Sequence, residues 1–393
     1  MTFTSSGIKL VDISTGIAGP YASMLLSEQG ADCIKVELPG GDYARSLPGF
    51  AVWNRSKKGA VIDYRRPEGR EALYCIIEQA DILIESFTPG EAKSLKLDYP
   101  VLSLKNPRLI YGAIPPFGEN GPLAEKKADE GLIAAYSGLY QGQGGIEQPP
   151  VYLTLPLASY GAAMLSIVGI TSAIYARESI GRGQKVETSL LAGALIMQAG
   201  GILKADKIVP VATNRNIQQG VLPVYRLHNC ADNQWIMIAC GNSTFWNKLV
   251  IAIDRPELLA DPRFDGAPWA IPQVENIIAL TDIMVDIFSQ KPREEWLKIL
   301  EENDIPVAPV GTREEFMENP QIRHNNMIVE IIDPEKGRTE QMGIPLTLTN
   351  NPGSIKGPAP RLGEHTNTIL KEYGFGKNEI DKLVKNKIAQ GQK

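Results

Sequence analysis

The chain has 393 residues, enough for two or three domains at a prior of about 150 residues each. Its 43% apolar and 22% charged residues are the make-up of a globular protein rather than a disordered one, and a net charge of -5 argues against nucleic acid or an anionic membrane surface as partner. The start MTFTSSGIKLVDIS lacks the basic, apolar and small-residue succession of a secretory signal, and no window reaches about 18 apolar residues, so no membrane partner and a cytoplasmic location are expected.

The first third alternates apolar runs with helical patterns. GIKLVDIS reads as a strand, PYASMLLSEQG as a helix ending at Gly30, and ADCIKVEL as a strand. RPEGREALYCIIEQA then reads as a helix, DILIESF as a strand, and NPRLIYGAI continues the series. Strand, helix and strand joined by short connections imply βαβ units, hence a parallel, doubly wound α/β sheet with helices on both faces. Residues 160 to 200 read as two buried helices separated by the glycine break GRGQ. ATNRNIQQG marks a boundary near 212 to 220. Beyond it YRLHNC and QWIMIACG predict strands, FWNKLVIAI, VENIIALTDIMVDIFSQ and REEWLKILEEN predict helices, and VPVAPV a turn or strand. The domains expected are a large one, 1–212 with 330–393, and a small α+β one, 220–325. In the tail, MIVEIIDPEKGRTEQMGIPLTLT returns to strands, NPGSIKGPAPRLGEHT is extended, and a last helix runs over about 366–388.

The familiar chemical signatures fail. Cys33, Cys75, Cys230 and Cys240 form no C-x-x-C, and His228, His324 and His365 lie at no ligand spacing, so neither a metal nor a redox cofactor is expected. GIAGPY after the first strand is not the G-x-G-x-x-G of dinucleotide sites, and no G-x-S-x-G elbow or phosphate-loop lysine occurs. The run LPLASYGAAML at 155–165 is the informative one. Pro156 suits a helix start, and Ser159 just inside it is open to three readings: a cap, a nucleophile, or the remainder of a site that once held another group.

Six segments, in order, resemble the class III CoA-transferases: GIAGPYASMLLSEQGADCIKVELPGGD at 16–42, NRSKKGAVIDYRRPEG at 54–69, ADILIESFTPG at 80–90, NPRLIYGAIPPFGENGP at 106–122, GRGQKVETSLLAGAL at 181–195 and PAPRLGEHT at 358–366. The resemblance implies a large Rossmann-like domain built from both chain ends, a small domain between them, and two subunits threaded through each other as an interlocked dimer. It implies a mechanism in which an aspartate attacks an acyl-CoA thioester and the mixed anhydride is exchanged with CoA and a carboxylic acid. The position of that aspartate carries Ser159, whose ester would be too stable to return the acyl group to CoA. The same resemblance places CoA against Ile17, Ala18, Ile62, Ser86, Phe87, Lys93 and Lys127, with Leu38 where the family commonly has an arginine for the nucleotide. The arginine beyond the VENFRPG-like run falls near Ser94, between Lys93 and Lys96, and the glycine-rich loop over the nucleophile is replaced by ATNRNIQQG.

Coordinated departures of this kind point to a non-catalytic subunit that scaffolds a heteromer. Its partner would be a related chain that keeps the aspartate and binds most of the CoA, an arrangement that resembles the succinyl-CoA:benzylsuccinate CoA-transferases of anaerobic toluene breakdown. Three alternatives remain: an autonomous transferase using Glu130 or Asp129, which are also natural helix caps; a CoA-ester racemase, weakened by the absence of a histidine near 126–130; and a binding protein with no enzymatic partner.

Overall fold

A computed structural model describes residues 7–144, 148–203, 206 and 219–391. The chain divides into two compact units. One holds Met1–Ser137, Leu155–Gly201 and Pro320–Lys393; the other holds Gly138–Thr154 and Ile202–Asn319. The segment 138–154, left in the large domain by sequence reasoning, therefore joins the second unit. The proposed boundary near 212–220 lies almost wholly outside the described residues.

The first unit is organised by six parallel strands: β1 Lys9–Asp12, β2 Asp32–Glu37, β3 Lys58–Ile62, β4 Ile82–Glu85, β5 Ile110–Ala113 and β6 Lys185–Glu187. In space they run β3-β2-β1-β4-β5-β6, and the short strand Ala389–Gln390 pairs antiparallel with β3 at the edge. The order reverses between β1 and β4. At that switch point an open α/β sheet leaves a crevice at the carboxyl ends of its strands.

The strands are apolar at consecutive positions because both faces are covered. Val11, Ile34 and Leu83 face one core, where Leu73 and Ile76 of the Pro67–Ile77 helix meet Ile369 and Leu370 from the tail. Leu10, Cys33 and Ile82 face the other, packed by Ala22 and Met24 of the Ala18–Glu28 helix and by Ala162 and Ile170 of the Leu157–Ile180 helix. The PAPRLGEHT segment closes the β3 side of the sheet. His365 N–H donates to the Gly59 carbonyl at 2.8 Å, Gly59 N–H to His365 Nδ1 at 3.1 Å, and Val61 N–H to Thr366 Oγ1 at 3.0 Å.

Three sequence expectations need correction. Residues 160 to 200 do form two helices parted at GRGQ, Leu157–Ile180 and Leu190–Ile196, but the KVE between them is β6 and neither helix is buried all round. Their outer faces are exposed, as at Val168 and Leu195. The expected last helix is two, Thr366–Glu372 and Lys377–Lys385, because Gly374 turns the chain at φ +95. The Leu157–Ile180 helix is also long and apolar enough to cross a membrane by composition, but it packs as a core helix against Ala18–Glu28.

The second unit carries an antiparallel sheet of β7 Gly220–Leu222, β8 Tyr225–Asn229, β9 Trp235–Ala239 and β10 Val307–Pro309, in the order β10-β9-β8-β7. The helices Ser243–Ala252, Val274–Phe288 and Arg293–Glu302 cover it through Leu249, Met284, Phe288 and Leu300. His228 is core here, its ring 4.5 Å from that of Phe288, and burial, aided by the Arg226 charge, pushes its pKa down to about 3.

Candidate functional site

The loops at the carboxyl ends of β1, β2 and β4 meet at the switch point. Their frame is a buried charge network. Asp12 at the end of β1 accepts from Lys57 Nζ at 3.0 Å, Ser23 Oγ at 2.6 Å and Ser14 N–H at 3.0 Å, and also from the Ser14 hydroxyl. Lys35 donates to the Ser14 carbonyl at 2.6 Å and to Asp42 at 3.1 Å. Asp42 in turn accepts Gly16 N–H at 3.1 Å and Ala44 N–H at 2.9 Å. Burial opposes the charge on Asp12, yet the two lysines and the serine hydroxyls outweigh it and hold the carboxyl well below the usual range. Sequence reasoning missed this network. Its signal was present in β2, where Lys35 interrupts an apolar run at a position buried on both sides.

The β4 loop joins the same frame. Thr15 N–H donates to Ser86 Oγ at 2.9 Å, and Phe87 N–H donates to Glu85 Oε2 at 2.5 Å. Glu85 also accepts the Tyr111 hydroxyl at 3.1 Å. Burial pushes the Glu85 carboxyl up to about 8, against the lowering from those two hydrogen bonds.

Ser159 lies in the first turn of the Leu157–Ile180 helix and is 3% exposed. Its hydroxyl does not cap the helix, contrary to one of the expected roles. The cap comes from Glu130, whose two carboxylate oxygens accept Ala158 N–H at 3.0 Å and Ser159 N–H at 2.7 Å. Asp129 caps the Glu130–Tyr136 helix by accepting Leu132 N–H at 3.2 Å. From the other side Gly193 closes on the serine's turn, since a methyl group built on it would lie 2.1 Å from the Ala158 carbonyl. The carboxylate beside the serine, Glu130, and its neighbour Asp129 both accept backbone N–H groups as caps.

The structure brings together part of the set expected at CoA. Ile17 is half-buried at the start of the Ala18–Glu28 helix, Ala18 is buried in its first turn, and Ser86 and Phe87 stand across the switch point from them. Ile62 has no place there: its side chain fills the core and its backbone pairs with Ala389, so no surface is left for a ligand. Lys93 is exposed on the Pro89–Leu95 helix, as are Ser94 and Lys96 around its end. Lys127 is 78% exposed and 3.5 Å from Glu91, a pair weak enough to exchange for an anion. Gly90 N–H, at the start of that helix, is already taken by Glu125 at 3.0 Å. Leu38, just beyond β2, packs against the core. The replaced glycine loop, at 212–220, is almost entirely outside the described residues. No group of three His, Cys, Asp or Glu able to hold a metal occurs among the described residues.

The sequence profile of CoA-transferase family III matches residues 6–366. The chain belongs to CoA-transferase family III. Among curated relatives, an acyl-CoA transferase of Fusarium pseudograminearum is 28% identical, covering 98% of this chain and 88% of its own. A formyl-CoA:oxalate CoA-transferase of Streptomyces avermitilis is 27% identical over 99% of this chain and 100% of its own. Of solved structures, a CaiB/BaiF family protein from Brucella suis is 28% identical with a TM-score of 0.81, covering 95% of this chain and 100% of that one. A hypothetical protein from Mycobacterium tuberculosis, at 24% identity and a TM-score of 0.78 over 93% and 99% of the two chains, shares the fold. Within family III, acyl-CoA and a carboxylate are the substrate classes to which the crevice has to answer.

Proposed function

We propose that the chain is one subunit of a class III CoA-transferase that moves CoA between an acyl-CoA such as succinyl-CoA and a carboxylic acid such as benzylsuccinate. The nucleophilic aspartate comes from a related chain paired with it. The observation that carries this reading is Ser159: a buried serine at the position where the resemblance puts the aspartate, with Glu130 and Asp129 both engaged as caps. A serine ester at that position lies below a thioester in energy and would not readily pass its acyl group back to CoA, whereas an anhydride does so easily.

One further feature supports a paired assembly of Rossmann-like subunits. Met164, Val168 and Tyr175 on the long helix and Leu195, Ile196 and Met197 on the next leave large apolar side chains in solvent. A surface of that kind marks a protein interface. The relatives named formyl-CoA:oxalate CoA-transferase supply the substrate classes, an acyl-CoA and a carboxylate, but not the particular acids.

The test is acyl transfer by the assembled complex. Ser159→Ala should leave turnover nearly unchanged, while replacing the partner's aspartate should abolish it. Transfer by the pure single chain at an ordinary enzyme rate, on the order of 1 to 1000 per second, would overturn the non-catalytic assignment in favour of an autonomous enzyme.

A further inference from the structure

One large aromatic at the switch point serves neither core nor cap. Tyr43 is 64% exposed and belongs to no hydrophobic cluster, yet its backbone is held in place. Asp42 before it caps the Tyr43–Ser46 turn and binds Gly16 N–H, and the Tyr43 carbonyl accepts Ser46 Oγ–H at 2.9 Å. The phenol lies directly on the Gly16 turn: a methyl group built on Gly16 would be 2.4 Å from the Tyr43 hydroxyl oxygen. Gly16, at φ +82, is favoured on conformational grounds. Partial burial of the hydroxyl against this turn, then the carboxylates of Asp42 and Asp129, raise the phenol's pKa. Asp129 is the neighbour of Glu130, which holds the turn containing Ser159. Tyr43 thus stands between the β1 loop expected to meet CoA and the helix starts that surround the position of acyl chemistry.

We propose that Tyr43 is a specificity-determining residue of this crevice, its ring forming the wall that limits the bulk of the acyl group carried by the thioester; the proposal rests on the acyl-CoA reading above. A protruding aromatic whose area folding does not use, held at a ligand crevice, is how a site sets its size. Ring removal opens space on the acyl side and leaves the β1 loop intact, since Asp42 still binds Gly16.

The experiment is isothermal titration of the assembled protein with CoA, acetyl-CoA and benzoyl-CoA, the substitutions being confined to this chain. Tyr43→Ala should raise the benzoyl-to-acetyl affinity ratio by about 5-fold or more, within the range that pocket volume supplies, while leaving free CoA binding as it is. Tyr43→Trp should lower the ratio. Tyr43→Trp also keeps the test decisive if the alanine variant fails to fold. A ratio that stays constant in the folded variants, with the thioesters still bound, overturns the role of Tyr43 alone. Failure of this chain's site to bind any of the three ligands, with the partner's site still binding them, overturns the wall and leaves the paired-subunit reading standing, whereas failure of both sites overturns the acyl-CoA reading as well.

Discussion

Replacing Glu130 separates a cap from a nucleophile. In the structure both of its oxygens are engaged, at 3.0 Å to Ala158 N–H and 2.7 Å to Ser159 N–H, in the first turn of a 24-residue helix. Glu130→Ala removes a helix cap worth about 0.5 to 2 kcal/mol. It also removes a charge at the positive end of the helix dipole, worth about 0.3 to 1 kcal/mol. The loss should thus be about 1 to 3 kcal/mol, read as a lower midpoint in guanidinium chloride unfolding. Glu130→Gln keeps one acceptor oxygen and loses mainly the charge, so its loss should fall near 1 kcal/mol or below. Turnover of the assembled complex should follow stability: Glu130→Gln should stay near the parent rate. If Glu130→Gln abolished acyl transfer in a complex of normal size and unfolding midpoint, the carboxylate would be chemical, and the capping argument would be refuted.

Two more expectations concern the frame of the site. Glu85 has its folded-state pKa raised to about 8, well above that of an unfolded glutamate, so its stabilising contribution is fully present below about pH 4.3 and is lost as pH rises toward 8. Glu85→Gln should remove that slope and unfold later than the parent at pH 9, by an amount on the order of a few kcal/mol; identical profiles at pH 6 and pH 9 would show that Glu85 is ionised throughout. Leu38→Arg, at the position where the family commonly carries an arginine for the nucleotide, should tighten CoA binding roughly 10- to 150-fold by calorimetry at low salt, with the gain falling as salt is added. No gain would mean that residue 38 does not face the nucleotide.

Much of the first unit was legible because a parallel sheet covered on both faces leaves apolar runs in the chain. KLVD, DCIKVE and ILIE each give away a strand, and PYASMLLSEQG ends its helix at Gly30, whose φ of +117 stops it. β6 was hidden because KVE is half-exposed and short, and it acquires its identity from β5, with Gly112 aligned to Val186. The long apolar helix misled in a related way. It was read as buried, yet Val168 and Tyr175 are exposed, and its Gly161 serves close approach: a methyl group built on it would lie 2.4 Å from the Gly193 carbonyl.

The site shows the same division between what a motif carries and what only spatial neighbours decide. The segments that resemble the family fixed Ser159 and the β1 loop by position, but the roles came from contacts at long sequence separation. Glu130 reaches forward across 28 residues to the Ala158 N–H, and Asp42 reaches back across 26 to the Gly16 N–H. Neither bond has a sequence signature, since a carboxylate near a helix start reads equally as cap or nucleophile until its acceptor atoms are counted. That count decides the reading of Ser159. A carboxylate with both oxygens on backbone donors is oriented toward the helix end. To attack a thioester it would have to give up two charge-assisted hydrogen bonds and expose the helix end in the same step. The family's aspartate at position 159 would face no such conflict, because its side chain would start from the helix itself and leave Glu130 in place as the cap. On the proposed reading, a serine at that position with an intact cap beneath it fits a subunit that keeps the fold of the site while a partner supplies the carboxylate.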